Sequence, residues 1–340
     1  MTKIFILGST GFIGQRIVAA LGNQPGFSLR LLARGSRQRQ GPHEWMHGDA
    51  LDAKTLRAGL EGCDAVVSCV TGSARTITGC AKALALALQD RRALRVVHLS
   101  SMAVYGDVEG AIPDDHALGQ GGGWYADAKR EAEQLVRPLA SSGHSVVLLR
   151  PGCVHGPGSP LWVERLGKCL TARRLGDLGI DGDGWSNLVH VDDVASATVA
   201  ALAWRPDAGK LLIANLAAPD SPRWNRYLID MGVLLGATPV RRIPRWQMTF
   251  ETTLAAAPLR IWERIAPRMG ISANWTAPAI TPALRVLFKQ PRRLHSHTAT
   301  HVLRLEWTPY ERSLAQSVRW YLQTVRGQPA AIVSRSRGTL

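Results

Sequence analysis

Tyr125 and Lys129 stand four residues apart in a stretch of helical spacing, so one turn of helix puts both on the same face. A phenol with an ordinary pKa of about 10 is a poor base near neutrality. A neighbouring ammonium favours the phenolate, and the residue can then give and take a proton at a substrate carbinol or ketone. Ser101 lies at the end of an apolar strand 24 residues earlier and offers a hydroxyl to polarise and steady the substrate oxygen. A surface helix that merely carries a tyrosine and a lysine is the plain alternative. The placed serine and the glycine loop described next weigh against it.

The run Gly8-Ser9-Thr10-Gly11-Phe12-Ile13-Gly14 falls between the first apolar strand and the first helical segment, where a dinucleotide needs it. Glycine allows a tight turn and close approach to a pyrophosphate, and the helix start offers free N–H groups and a favourable dipole. Sites selective for NAD usually end the second strand in Asp or Glu. Here that strand ends Leu31-Leu32-Ala33-Arg34, followed by Gly35-Ser36-Arg37, with no carboxylate. Guanidinium groups pair with a 2′-phosphate through charge-assisted, often bidentate bonds. Arg34 first, then Arg37, with Ser9 as a helper, mark the cofactor as NADP, with NAD the alternative. Membership of an ordinary basic loop is the competing reading for Arg37.

These residues need a scaffold, and the first half of the chain alternates strand and helix patterns in the rhythm of a parallel sheet. Strands are expected over 3–7, 28–33, near 47–52, and over 65–70, 95–100 and 145–150. Helices are expected over 14–21, up to 62, and over 74–89 and 125–140. Such a doubly wound sheet binds ligands at the carboxyl ends of its strands. Beyond Arg150 the pattern turns irregular. A glycine- and proline-rich loop leads into a helix over 161–170, a strand over 188–191, and a helix over 194–203 with Asp192-Asp193 as its N-cap. An amphipathic stretch near 254–268 and a last helix over 314–324 follow. The expected fold class is α/β, a doubly wound parallel Rossmann sheet with a smaller C-terminal substrate-binding lobe. Residues 1–160, rejoined by 185–215, form the core; 161–184 and 216–325 form the lobe; 326–340 read as a disordered tail.

Hydrophobic residues at 46% and charged residues at 20% are ordinary globular values. No apolar run approaches the roughly 18 residues of a membrane span, and the N-terminal run is too short for a signal peptide. Five cysteines without a Cys-x-x-Cys pair read as reduced, buried thiols, and the chain is expected to be cytoplasmic. Charge is unevenly spread. Residues 1–204 carry 21 basic against 19 acidic side chains, whereas residues 205–340 carry 20 against 7. No nucleic-acid-binding motif accompanies this excess, so nucleic acid is not an expected partner. Trp246, Trp262 and Trp275 suit an apolar pocket, a membrane surface or plain core packing. His295-x-His297-x-x-x-His301 lacks a clustered Cys or carboxylate and reads as a polar loop; no metal is expected.

Taken in order, Gly8-x-x-Gly11-x-x-Gly14, Gly48-Asp49, Ser100-Ser101-Met102-Ala103-Val104-Tyr105-Gly106, Tyr125-x-x-x-Lys129, Arg150-Pro151-Gly152-Cys153-Val154-His155-Gly156-Pro157 and His190-Val191-Asp192-Asp193-Val194-Ala195 resemble the extended short-chain dehydrogenases, the NAD-dependent epimerase/dehydratase superfamily. The likeness runs from residue 3 to about 200, and Trp307-Thr308-Pro309 is similar to the family's usual ending. It implies Tyr125 as acid/base, Lys129 as its electrostatic partner and ribose anchor, and Ser101 as polariser. It also implies cofactor contacts at Asp49 and Ala50 beside the adenine, at Val70 and Thr71 beside the nicotinamide ribose, and at Pro151, Gly152 and Val154. Tyr105 reads as structural, although similar proteins place it near the substrate. One departure stands out: Thr76-Ile77-Thr78-Gly79-Cys80 replaces a pattern that usually starts with Asn, which puts that residue's structural or relay contact in doubt. Dimerisation through helices flanking the sheet is a further implication.

Three functions fit. An NADP-dependent ketone reductase or alcohol dehydrogenase for an apolar small molecule comes first, since the Trp- and Pro-containing C-terminal part resembles hydroxysteroid dehydrogenases and dihydroflavonol reductases. A nucleotide-sugar epimerase or dehydratase comes second; the missing carboxylate after the second strand counts against it, and the basic second part counts for it. A non-catalytic NADP-binding sensor comes third, because such proteins commonly lose the Tyr or the Lys.

Overall fold

Strands buried on both faces must be apolar almost throughout, and Ile4-Phe5-Ile6-Leu7, Ala65-Val66-Val67 and Val146-Val147-Leu148-Leu149 meet that demand. The computed structural model describes residues 1–35, 42–89, 91, 93–204, 209–265, 269, 278–325 and 327. Its strands are β1 (Thr2–Leu7), β2 (Phe27–Ala33), β3 (Glu44–His47), β4 (Ala65–Ser68), β5 (Arg95–Leu99), β6 (Ala111–Ile112), β7 (Ser145–Pro151), β8 (Cys153–His155), β9 (Leu188–His190), β10 (Leu211–Leu216) and β11 (Arg293–Leu294). Its helices are α1 (Phe12–Gly22), α2 (Ala53–Gly59), α3 (Ala74–Leu88), α4 (Gly123–Val136), α5 (Leu166–Thr171), α6 (Val191–Ala203), α7 (Trp224–Leu234), α8 (Arg245–Phe250), α9 (Ala256–Ile265), α10 (Pro282–Lys289) and α11 (Tyr310–Trp320).

The chain divides into two units. The first comprises Met1–Gly152, Val191–Ala217 and Leu294–Trp307. It holds a seven-stranded parallel sheet in the order β10-β7-β5-β4-β1-β2-β3. The chain leaves β1 outward through β2 and β3, then returns to β1's other edge as β4. Crossovers therefore diverge on either side of the β1–β4 pair, which opens a crevice at the strand ends. Residues 294–307, placed with the second lobe from the sequence, belong here by their contacts. So does β10, whose run Leu-Leu-Ile-Ala-Asn-Leu drew no strand expectation. Asp52 caps α2 and Ser73 caps α3 through side-chain oxygens. Helix α6 starts at Val191, so Asp192 and Asp193 lie in its first turn, where they complement the dipole, and not at its N-cap.

In the second unit, Cys153–His190, Ala218–Arg293 and the described residues from Thr308 onward, β8 pairs with β9 in parallel. Trp224, Tyr227 and Phe288 pack there, with Trp224 edge-on to both others. Helices α7 and α10 had no counterpart in the sequence reading.

Within the first unit, a fully buried polar network closes the end of β7. The Arg150 guanidinium grips the Glu133 carboxylate with two bonds of 2.9 and 2.8 Å and donates to the Tyr105 hydroxyl at 2.8 Å. Tyr105 donates onward to Asn215 Oδ1 at 2.6 Å, and Asp114 accepts from the Asn215 and Thr298 N–H groups. Tyr105, with no exposed surface, is thus a structural residue, and the network is what draws 294–298 onto β10. Removing one partner of a buried ion pair leaves the other uncompensated, which costs about 3–5 kcal/mol. Glu133→Ala is expected to lower unfolding free energy by about that amount in urea titration. A loss under about 1 kcal/mol would show the pair to be dispensable.

Candidate active site

The crevice is shaped first by backbone proximity. Gly8 has φ +85°, and a Cβ there would lie 2.9 Å from the Cys69 carbonyl group at the end of β4; one on Gly14 would lie 2.1 Å from the Gly8 oxygen. Only hydrogen fits at either place, so β1, β4 and α1 meet more closely than side chains permit. Gly11 is the N-cap of α1 with no side-chain capping bond, which leaves the first N–H groups of the helix to a ligand. This cradle fits the pyrophosphate of a dinucleotide: Thr10, Phe12 and Ile13 share the turn with the three glycines. Ser9 is buried and donates to the Leu32 carbonyl at 3.3 Å, so its hydroxyl ties the turn to β2. Arg34 follows β2 with an exposed side chain, and its carbonyl accepts from His47. Arg37 lies outside the described residues.

Further along the strand ends, Asp49 is exposed and its carboxylate accepts from the Leu51 N–H at 3.0 Å, with Ala50 half-buried beside it. Val70 and Thr71 follow β4, half-buried and exposed respectively. Pro151 ends β7 and Gly152 follows it, whereas Val154 lies in the second unit, in β8 opposite Val189. Thr76 sits in the first turn of α3, where its hydroxyl pairs with Ser73 at 2.9 Å and thus joins the helix cap.

Ser101, Tyr125 and Lys129 come together in the first unit. The residues Gly121, Gly122 and Gly123 all have φ near +75°, a conformation costly for other residues, and they swing the chain into α4. The Gly119 and Asp107 N–H groups bond to Val104 and Gln120 across that loop, which holds the segment after Ser101 against the start of α4. The Tyr125 phenol lies near enough to Ser101 and Thr71 for their hydroxyls to act on its titration, while the Ser101 hydroxyl oxygen accepts from the Ala103 N–H at 3.2 Å. Burial pushes this phenol above its ordinary value, and the two hydroxyls pull it part of the way back.

Lys129 Nζ donates to the Leu99 carbonyl at 2.8 Å, and its charge acts on Cys69, Cys80 and His98. Burial lowers the ammonium to about 8. His98 in β5 was missed. Burial, aided by Lys129, lowers it to about 3, so the ring stays neutral, and neither nitrogen has a hydrogen-bond partner among the described residues. The signal was a histidine set among Val96, Val97 and Leu99 in that strand. Glu133 was missed too, although 125, 129 and 133 repeat at four-residue spacing along one helix face. Trp124, largely exposed and edge-on to Tyr125 at 5.8 Å, completes the neighbourhood. Burial raises the Cys69 and Cys80 thiols to about 12 and about 11, which makes them inert. All five cysteines are free. Among the described residues no group of three or more His, Cys, Asp or Glu could hold a metal ion, and no helix is long and apolar enough to cross a membrane. His297 and His301 stack at 4.4 Å.

The lowered lysine has a consequence for stability. The unfolded chain holds this proton more tightly than the folded one, so the cost of burying the ammonium is present in full below about pH 8. It fades as pH rises towards the free-lysine value of 10.5. Relative to Lys129→Met, the native chain is expected to gain stability between pH 8 and 10.5, by on the order of 3 kcal/mol, in urea titrations at stepped pH. A pH-independent difference would mean that the ammonium is not desolvated.

Comparison with known proteins agrees with this geometry. The model of the NAD dependent epimerase/dehydratase family matches residues 4–216. The 4-hydroxy-2-methyl-3-oxo-4-farnesyl-3,4-dihydroquinoline-1-oxide ketoreductase of Stigmatella aurantiaca is 25% identical over 308 residues, covering 85% of this chain and 87% of that protein. The ceramide reductase of Caulobacter vibrioides is 26% identical over 330 residues, covering 93% and 88%. Among solved structures, the UDP-glucose 4-epimerase of Bifidobacterium longum in complex with NAD+ and UDP aligns with a TM-score of 0.70 at 15% identity, over 96% of this chain and 100% of that one. That likeness is one of fold. With its glycine cradle, its parallel sheet and a family match over most of the first 216 residues, the chain belongs to the NAD dependent epimerase/dehydratase family, the extended short-chain dehydrogenases.

Proposed function

We propose that the protein is an NADPH-dependent reductase of a ketone on an apolar small molecule, running as an alcohol dehydrogenase in reverse. The observation that carries this reading is the nearness of Ser101 to Tyr125, one helical turn from a buried ammonium and in the same unit as the glycine cradle. The names of the two reductase relatives support the substrate class: one acts on a farnesyl-bearing dihydroquinoline and the other on a ceramide. Arg34, exposed at the end of β2 where NAD-selective sites carry a carboxylate, supports the phosphorylated cofactor.

The cofactor, when bound, supplies the hydride. Tyr125 passes its phenolic proton to the substrate oxygen as negative charge builds there, and Ser101 donates a second hydrogen bond to that oxygen. A phenol raised by burial is the better reservoir for this role, since it arrives protonated. Lys129, one helical turn on, would anchor the ribose of a bound nucleotide and supply positive charge that eases loss of that proton. Trp124 offers an aromatic face beside Tyr125 for an apolar substrate.

Tyr125→Phe is expected to cut turnover by about 1,000-fold or more while leaving NADPH affinity within a few-fold, measured by nicotinamide fluorescence. Retained turnover would remove Tyr125 from the chemistry. Arg34→Asp is expected to weaken NADPH by at least about ten-fold and NADH by much less. Equal losses, or stabilisation of the native chain by a UDP-sugar with co-purified NAD, would replace the reductase reading with that of a nucleotide-sugar epimerase.

A further inference from the structure

One face of the second unit departs from what a soluble surface needs. From Arg245 to Ile265 the chain is helical throughout: α8, a wider turn over Glu251–Ala255, then α9. Its inner side buries Met248, Glu251, Thr252 and Ala256. Its outer side carries Trp246, Phe250, Leu254, Ile261 and Ile265, spaced four, four, seven and four residues apart, which keeps them on one stripe. All five are exposed, Trp246 at 70% and Leu254 at 67%. Thr249 and Thr253 turn their hydroxyls back onto backbone carbonyls and so add little polarity. Arg285 of α10 reaches Thr249 at 3.1 Å, and the neighbouring Val286 is exposed as well. Isolated apolar side chains on a surface are ordinary; a five-member stripe at helical spacing is not.

Charge supplies the second observation. Asp181, almost fully buried, faces Lys289 at 2.9 Å and both Arg245 and Arg285 at 3.5 Å. One carboxylate cannot neutralise three cations, so positive charge is left over where the stripe begins, with Arg245 and Lys289 still substantially exposed. Glu263 near the other end is already engaged by Arg165 and the Ala279 N–H. Most of the protein's excess charge lies in the same part of the sequence, 20 basic against 7 acidic side chains over residues 205–340.

We infer that this face lies on an anionic phospholipid bilayer, with the Trp246–Ile265 stripe at the boundary between headgroups and acyl chains and the Arg245–Arg285–Lys289 cluster on lipid phosphates. Apolar burial and attraction to anionic headgroups add in such a geometry, and neither alone anchors strongly. A second copy of the chain would bring like charges face to face. Nucleic acid would satisfy the cations and leave the stripe in water.

The test uses the full chain and sucrose-loaded vesicles, either phosphatidylcholine alone or an equal mixture with phosphatidylglycerol. Wild-type protein is expected to sediment with the anionic vesicles with an affinity about ten-fold or more above that for the neutral ones, and to be released by high salt. The triple variant Trp246→Ser, Leu254→Ser, Ile261→Ser is expected to lose at least about ten-fold in affinity at unchanged Tm and unchanged nicotinamide-nucleotide binding. No binding by the wild type, or equal binding by the variant, would overturn the inference. So would a concentration-dependent dimer that the same substitutions disperse. None of these readouts needs turnover, so failure here is separable from failure of the reductase reading.

Discussion

An ammonium group shut away from water, resting on the carbonyl at the end of a central strand, is the contact around which this site is built. Burying Lys129 is costly, as its lowered pKa shows, and the Leu99 oxygen at 2.8 Å supplies compensation. That bond requires α4 to lie within hydrogen-bond distance of β5. Small residues on the inner face of the helix, Ala126, Ala128 and Ala132, make such an approach sterically possible. Tyr125 then falls one turn before Lys129, and Ser101 begins the turn that follows β5. The relation between phenol and hydroxyl is therefore a consequence of how the helix docks.

Two other constraints hold the docked arrangement in place. At one end of α4, three consecutive glycines adopt a left-handed conformation and send the chain into the helix. Towards the other, Glu133 is clamped by Arg150 from the sheet, and the same guanidinium fixes Tyr105. The spacing 125, 129, 133 thus places a phenol, an ammonium and a structural clamp on one helix face. The order is also electrostatically sensible, since Glu133 is paired with Arg150 and its charge also favours the buried Lys129 ammonium.

The second unit reads differently. Its interior is aromatic and well packed around Trp224, yet its surface concentrates cations and keeps a row of large apolar side chains in water. A domain that only had to stay soluble would disperse both features. Their coincidence, with Arg245 on the stripe's own helix and Arg285 and Lys289 on the adjoining α10, is what gives the surface a direction and a chemistry.

Much of this was legible from residue order. Period-two and continuous apolar runs marked β1, β2, β4, β5 and β7, because strands buried on both faces tolerate little else. The glycine turn after β1, the placement of Tyr125 and Lys129 on one helix and that of Ser101 after a strand were legible because each requirement is local: a turn without Cβ atoms, a four-residue helical repeat, a strand end. Strand β10 was not, since Leu211–Leu216 is a short apolar run that fits strand or buried helix equally well. Nor was the partner of Lys129. Sequence spacing places an ammonium near a phenol, but which acceptor it meets depends on how α4 packs on β5, and packing chose the Leu99 carbonyl. The contacts of Tyr105, Glu133 and Asn215 were likewise set across long stretches of chain, for which no local pattern exists. Local sterics are written in the order of residues; long-range pairing emerges only when buried polar groups must find partners in the folded interior.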